Sequence, residues 1–295
     1  MASARPDSGN SGFVASLIGW FDDHERPLPW RASTPWGVLV SEFMLQQTPV
    51  DRVLPAWGQW MDRWPTAPDI AAARVADALR AWGRLGYPRR ALWLHQSAVQ
   101  ITEQHGGQVP IDAAALRALP GVGEYTAAAV QAFAYKRRSV VLDTNVRRVL
   151  ARVIDGRSAP APHVTAVERT EADLLWPADD QRSARWSAAV MEFGALVCTA
   201  RRPACGDCPL TTRCAWTLAG QPSSVPARRQ AGYAGSDRQA RGRILSAIRE
   251  SPEPVGGRSI ERVWPHAAQR DRALATLISD GLVRKLPHRK YALPD

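Results

Sequence analysis

Apolar residues recur every three or four positions over most of the first 220 residues, which is the repeat of an amphipathic helix. Phe13, Leu17, Ile18, Trp20 and Phe21 mark a first helix, ended by Pro27 and Pro29. Ser33-Thr34-Pro35 offers a hydroxyl cap and a first-turn proline to a second helix. That helix carries Val38, Leu39, Glu42 and Leu45 and stops near Gln46-Gln47. Thr48-Pro49 repeats the cap, and Val50, Val53, Leu54, Trp57, Met61 and Trp64 follow as one stripe. The pattern predicts further helices over 69–83, 88–105, 112–119, 124–135, 143–154, 163–176 and 181–196. No period-two alternation precedes residue 280, so this part reads as all-α. Residues 221–237, rich in Pro, Ser, Gly and Arg, read as a linker. Three helices (238–250, 259–264, 269–280) and two strands (282–286, 291–293) around Pro287-His288 then suggest a small winged-helix-like α/β module.

The segment from Leu116 to Arg152 organises the rest. Pro120 stops one helix, Gly121 and Gly123 turn the chain, and a second helix begins with free N–H groups pointing into the turn. Such an N-terminus favours a phosphate, and glycines let a phosphodiester approach the backbone. About twenty residues on, Asp143 heads a basic helix; it reads as a plain N-cap or as a functional carboxylate.

The net charge is +10. Residues 221–295 hold 14 Lys and Arg against 7 Asp and Glu, and Lys136–Arg152 holds six basic residues against Asp143 alone. Clustered charge of this kind suits a polyanion. The twelve tryptophans sit at helical spacing beside Leu and Val, so core packing is the better reading than base stacking. The six histidines show no ligand spacing. Residues 1–10 are polar and no run is long and apolar enough to span a membrane, which points to a cytoplasmic protein. Only Lys136, Lys285 and Lys290 are available as Schiff-base lysines.

All four cysteines fall in one window, Cys198-x6-Cys205-x2-Cys208-x5-Cys214. Clustered thiolates point to a metal rather than a disulfide frame. Zinc usually takes two Cys-x2-Cys arms and only one is present, whereas a cubane cluster tolerates uneven spacing.

Leu-Pro120-Gly121-Val-Gly123, the distant Asp143 and the 6-2-5 cysteine spacing together resemble the helix–hairpin–helix DNA glycosylase superfamily that includes endonuclease III. The resemblance implies a two-lobed glycosylase fold with a [4Fe-4S] loop on the four cysteines, whose Arg201 and Arg202 are placed to meet phosphates. Endonuclease III has its lyase lysine where this chain has Tyr125, and Lys136 lies about three helical turns further on, so a single-function glycosylase is expected. Ser41-Glu42-Phe-Met-Leu-Gln46-Gln47-Thr48 closely resembles the MutY-type adenine glycosylases, and Leu85-Gly86-Tyr87-x-Arg89-x-Ala91 adds to it. In that family the glutamate protonates adenine N7, a task suited to a Glu held in an apolar pocket. Gln46 and Gln47 resemble that family's wedge, which fills the space left in the duplex by a flipped-out base, and Thr48 is expected on DNA beside them. By the same resemblance Asp143 stabilises positive charge at C1′, Asn145 orients it and Tyr125 contributes to the site. Gly121, Gly123, Arg89 and Arg147 are expected on DNA, with Arg90 beside them.

The resemblance covers roughly residues 13–220 and implies an N-terminal helix over 1–32, a six-helix lobe over 33–142 and a cluster lobe over 143–220; the linker over 221–237 and the basic module over 238–295 follow them. The expected function is monofunctional excision of adenine mispaired with 8-oxoguanine or guanine, by a monomer acting on double-stranded DNA. Two departures concern the oxidised base: Pro88 stands where the family has a second tyrosine, and the module is too short for the usual MutT-like domain. The alternatives are a same-fold glycosylase for thymine or uracil opposite guanine, and a non-catalytic iron–sulfur DNA-binding protein.

Overall fold

A computed structural model describes residues 7–223 and 232–295. The central part of the expected linker lies outside the described residues. Helices follow in the order α1 (Asp7–His24), α2 (Pro35–Leu45), α3 (Val50–Arg63), α4 (Ala67–Ala71), α5 (Val75–Trp82), α6 (Arg89–Gln104), α7 (Ala113–Ala118), α8 (Glu124–Phe133), α9 (Thr144–Val153), α10 (Ala166–Asp173), α11 (Asp180–Leu196) and α12 (Ala215–Leu218). The C-terminal module adds α13 (Asp237–Glu250), β1 (Val255–Gly256), α14 (Gly257–Val263), α15 (Ala267–Ser279), β2 (Arg284–Leu286) and β3 (Lys290–Ala292). Among the described residues no helix is long and apolar enough to cross a membrane.

Two expectations are corrected. The helix expected over 69–83 is two helices, α4 and α5, broken at residues 72–74. A strand precedes residue 280 after all: β1 pairs with β3, giving a three-stranded antiparallel sheet in the order β1-β3-β2. A two-residue strand is too short to show any periodicity, and only the sheet context makes it one.

The chain divides into two compact units. One comprises Met1–Val38, Ile111–Ala114 and Val122–Ala227. Its core packs Leu17 of α1, Val146 and Val149 of α9, and Trp186 and Phe193 of α11 against Cys198 and Cys214. Phe13 meets Trp186 edge-on at 5.0 Å. Gly194 lets α11 approach α9 closely, because a Cβ there would lie 2.8 Å from the Asn145 carbonyl oxygen.

The other unit comprises Leu39–Pro110, Ala115–Gly121 and Arg228–Asp295, so the C-terminal module belongs to it. Trp60 packs edge-on against Trp64 and Trp82 at 4.9 and 5.8 Å, and Leu39, Phe43, Ile70 and Leu94 of the same unit are fully buried. Ten of the twelve tryptophans are buried, which settles them as core residues. Burying rings of this size is among the larger single contributions to a core.

Candidate active site

Asp143 caps α9. Its Oδ1 accepts the Val146 N–H at 2.6 Å, and its Oδ2 accepts the Asn145 side-chain amide at 2.8 Å. Burial pushes the Asp143 carboxyl above its ordinary pKa, while those two donors and the nearby Arg148 charge pull the other way. Asn145 is held in turn: its Oδ1 accepts from Arg148 at 2.8 Å. Arg148 also donates to the carbonyls of Gly194 and Cys198, at 2.6 and 2.8 Å. A continuous run of hydrogen bonds therefore ties Asp143, through Asn145 and Arg148, to the first residue of the cysteine loop.

The cysteine loop fits an iron–sulfur cluster by its donor set. All four thiols are free of disulfides, Cys198 and Cys214 are buried, and Cys205 and Cys208 are partly buried against the same core. Burial raises the Cys198 and Cys208 pKa values, a cost that an iron-bound thiolate removes. Arg152 donates to Cys198 Sγ at 3.4 Å and lies over the Trp216 ring at 4.6 Å. A cation held there offsets the negative charge of a thiolate-bound cluster. Thr211 Oγ1 donates to the Cys205 and Cys208 carbonyls and shapes the turn between them. Arg201 and Arg202 are exposed on the same loop.

Tyr125 is half-buried beside Ala129, Ala132 and Val141. Gly123 caps α8 without any side-chain hydrogen bond, so the first-turn N–H groups are not claimed by a cap. Lys136 donates to the Phe133 carbonyl at 2.8 Å, just past the end of α8, and burial lowers its pKa. Arg147, expected on DNA, is turned inward. It is only 6% exposed, pairs with Glu168 at 2.7 Å and donates to the Ala161 and His163 carbonyls.

In the other unit, Glu42 lies on α2 and is 5% exposed between buried Leu39 and Phe43. The turn that follows is braced from inside by Arg90, whose guanidinium donates to the Phe43, Gln46 and Gly86 carbonyls. Thr48 Oγ1 adds a bond to the Leu85 carbonyl at 3.1 Å. This bracing holds Gln47 at a φ of 56°, a left-handed conformation that a glutamine adopts only under constraint. Burial lowers the Arg90 pKa to about 10. Arg90 was expected to grip phosphates, and it is a brace instead. Nothing in the sequence separates it from Arg89, which is half exposed and lies over the Trp93 ring. Gly121 sits at a φ of 77°, and a Cβ there would lie 2.8 Å from Trp93 and 2.9 Å from Phe43. The hairpin glycine is thus required by both conformation and space.

Comparison with known proteins agrees with this geometry. Residues 40–172 match the HhH-GPD superfamily of base excision DNA repair proteins, and residues 198–214 match the iron–sulfur binding domain of endonuclease III. The adenine DNA glycosylase of Mycolicibacterium smegmatis is 51% identical over 280 residues, 94% of each chain. The thymine/uracil-DNA glycosylase of Pyrobaculum aerophilum is 34% identical over 202 residues, covering 67% of this chain and 88% of that one. A trapped endonuclease III–DNA covalent intermediate superposes with a TM-score of 0.63 at 20% identity, covering 74% of this chain and all of that one, a likeness of fold.

Proposed function

Because the chain belongs to the adenine DNA glycosylase family within the HhH-GPD superfamily, with its iron–sulfur loop, we propose that it excises adenine mispaired with 8-oxoguanine or guanine. The observation that carries this reading is Glu42. It is a buried carboxyl on the helix whose braced end presents Gln46 and Gln47. A carboxyl so placed is fitted for the part of a general acid.

Neutral adenine is a poor leaving group, so the Glu42 carboxyl donates its proton to N7 as the C1′–N9 bond breaks. The electron pair of that bond leaves with the base, and positive charge develops at C1′. The Asp143 carboxylate stabilises this charge from a fixed position on the α9 cap. Water then attacks C1′, and Glu42, now ionised, takes the proton that the water loses. The acid is thereby restored. Gln46 and Gln47 occupy the gap in the duplex, and the uncapped start of α8 beside Gly121 and Gly123 holds a phosphate. Arg89 and Arg201 add phosphate contacts, Tyr125 borders the sugar, and Arg147 serves the core.

Tyr125 stands at the lyase position and Lys136 is bonded to the Phe133 carbonyl just past the far end of α8, so the hairpin itself brings no amine for a Schiff base. The reaction therefore stops at an abasic site. A [4Fe-4S] cluster on Cys198, Cys205, Cys208 and Cys214 fixes the loop from which Arg201 projects and takes no part in bond breaking. The protein acts as a monomer on double-stranded DNA, in the nucleoid.

Glu42→Gln is the test. The reading expects loss of adenine release by at least 100-fold, on the scale of a missing general acid, with duplex affinity kept. A rate near wild type would remove Glu42 from the chemistry.

A further inference from the structure

The unit that carries Glu42 also contains a cleft of about 920 Å³. One wall is the Gln46–Gln47 turn with the segment leading into α6, and the other is α13 of the C-terminal module. Eight arginines line it and Asp280 is its one acid. That imbalance is too concentrated for a solvated face, since charges of one sign crowded in a cleft repel each other unless an anion joins them.

The cleft already shows what it accepts. Asp280 pairs with both Arg89, from α6 at 3.3 Å, and Arg241, from α13. One carboxylate thus bridges cations on the two walls, where a phosphate oxygen pair would serve equally. Arg249 is fastened to the Gly83 carbonyl and Arg52 to the Arg84 carbonyl, which orients them. The side chains of Arg84 and Arg243 are exposed and, among the described residues, their guanidinium groups have no hydrogen-bond or ion-pair partner. Tyr87, 55% exposed at a φ of 46°, presents its ring at the same rim with Arg90 beneath it at 5.0 Å.

We propose that this cleft binds the phosphodiester backbone of the strand paired with the excised adenine, with Arg84 on one wall and Arg243 on α13 gripping phosphates beside the unpaired purine. The choice of strand rests on the function proposed above. Glutamines that fill the place of an everted base touch the base left behind on the other strand. The cleft opens at those glutamines, so that strand is the one it meets. Asp280 holds the phosphate seat in the free protein and yields it to DNA. The module thus supplies a grip on the opposite strand.

The test uses the full, cluster-loaded chain and labelled duplexes bearing a tetrahydrofuran abasic analogue opposite guanine or 8-oxoguanine. Arg84→Gln/Arg243→Gln is expected to weaken binding by on the order of tenfold and to lower the slope of log Kd against log salt by about 1.8, the value for two lost phosphate contacts. Methylphosphonate linkages flanking the purine should weaken wild-type binding yet add nothing to the double variant's loss. The same linkages in the abasic strand should weaken both proteins equally. Asp280→Asn, which releases two arginines, should bind severalfold tighter.

An unchanged salt slope in the double variant, or coupling to the abasic strand instead, overturns the proposal. Weaker binding by folded Asp280→Asn would show that the carboxylate fastens the module and would overturn its role as a phosphate stand-in. None of these readouts depends on base release. A protein that bound as expected but released no adenine would sink the function and spare the cleft.

Discussion

Substituting Asp143 by asparagine and by alanine separates its structural and chemical tasks. As a cap, Asp143 accepts from Val146 N at 2.6 Å and from Asn145 at 2.8 Å. Asparagine caps helices about as well as aspartate, so Asp143→Asn should change stability by no more than about 0.5 kcal/mol. The sign favours the variant slightly. Burial raises the folded-state pKa, so the protonation-linked part of its contribution is full at low pH and is lost as pH rises through the raised value, while the cap itself remains. At neutral pH the charged carboxylate is a net cost that a neutral amide avoids. Asp143→Ala instead removes the cap, about 1 kcal/mol, and strips the Asn145 amide of its acceptor, about 1–2 more. At roughly 2–4 °C per kcal/mol, its melting point should fall by about 5–10 °C.

Both variants lose the charge proposed to stabilise C1′, and both should lose on the order of 10³-fold or more in single-turnover adenine release. The wild-type rate should also fall on the acid side at a pH above the ordinary aspartate range, because Asp143 must be ionised to act. The measurements are thermal melts and single-turnover rates across pH. Activity of Asp143→Asn within tenfold of wild type would refute the charge argument. A melting point as low as that of the alanine variant would refute the separation of cap from charge.

Two further outcomes follow from the packing. Gly121→Ala forces a β-carbon against Trp93 and Phe43 at a positive φ, and should cost about 1–3 kcal/mol and weaken duplex binding; an unaltered melt and Kd would contradict the close approach. Arg152→Gln removes the donor to Cys198 Sγ and the cation over Trp216, so the cluster's visible absorbance should bleach severalfold faster under chelator, and bleaching at the wild-type rate would show that Arg152 does not support the loop.

Much of the site was legible because its signals are local. Four cysteines within seventeen positions, an aspartate at a helix start and a proline–glycine hairpin each carry their physics in a few adjacent residues. The octapeptide around Glu42 could be placed on a helix by its capping signals alone, and α2 runs Pro35–Leu45 as that spacing predicts. What stayed hidden depends on distant partners. Arg89 and Arg90 are neighbours of one type, yet one lies over Trp93 and the other is buried beneath the Gln46–Thr48 turn. Arg147 sits in the basic helix that suggested DNA, and only Glu168, twenty-one residues on, draws it inward. The cleft needed α13 and α6 together, 152 residues apart at Arg241 and Arg89, with Asp280 between them. The basic excess of the tail was readable, but its direction was not.

The most direct test of the central claim is single-turnover excision by the cluster-loaded protein on duplexes with adenine opposite 8-oxoguanine, guanine or thymine, run with and without alkali. Adenine release opposite 8-oxoguanine and guanine, little release opposite thymine, and strand breakage only after alkali are the predicted results. Intact adenine in every duplex, from protein whose cluster is present, would contradict the account.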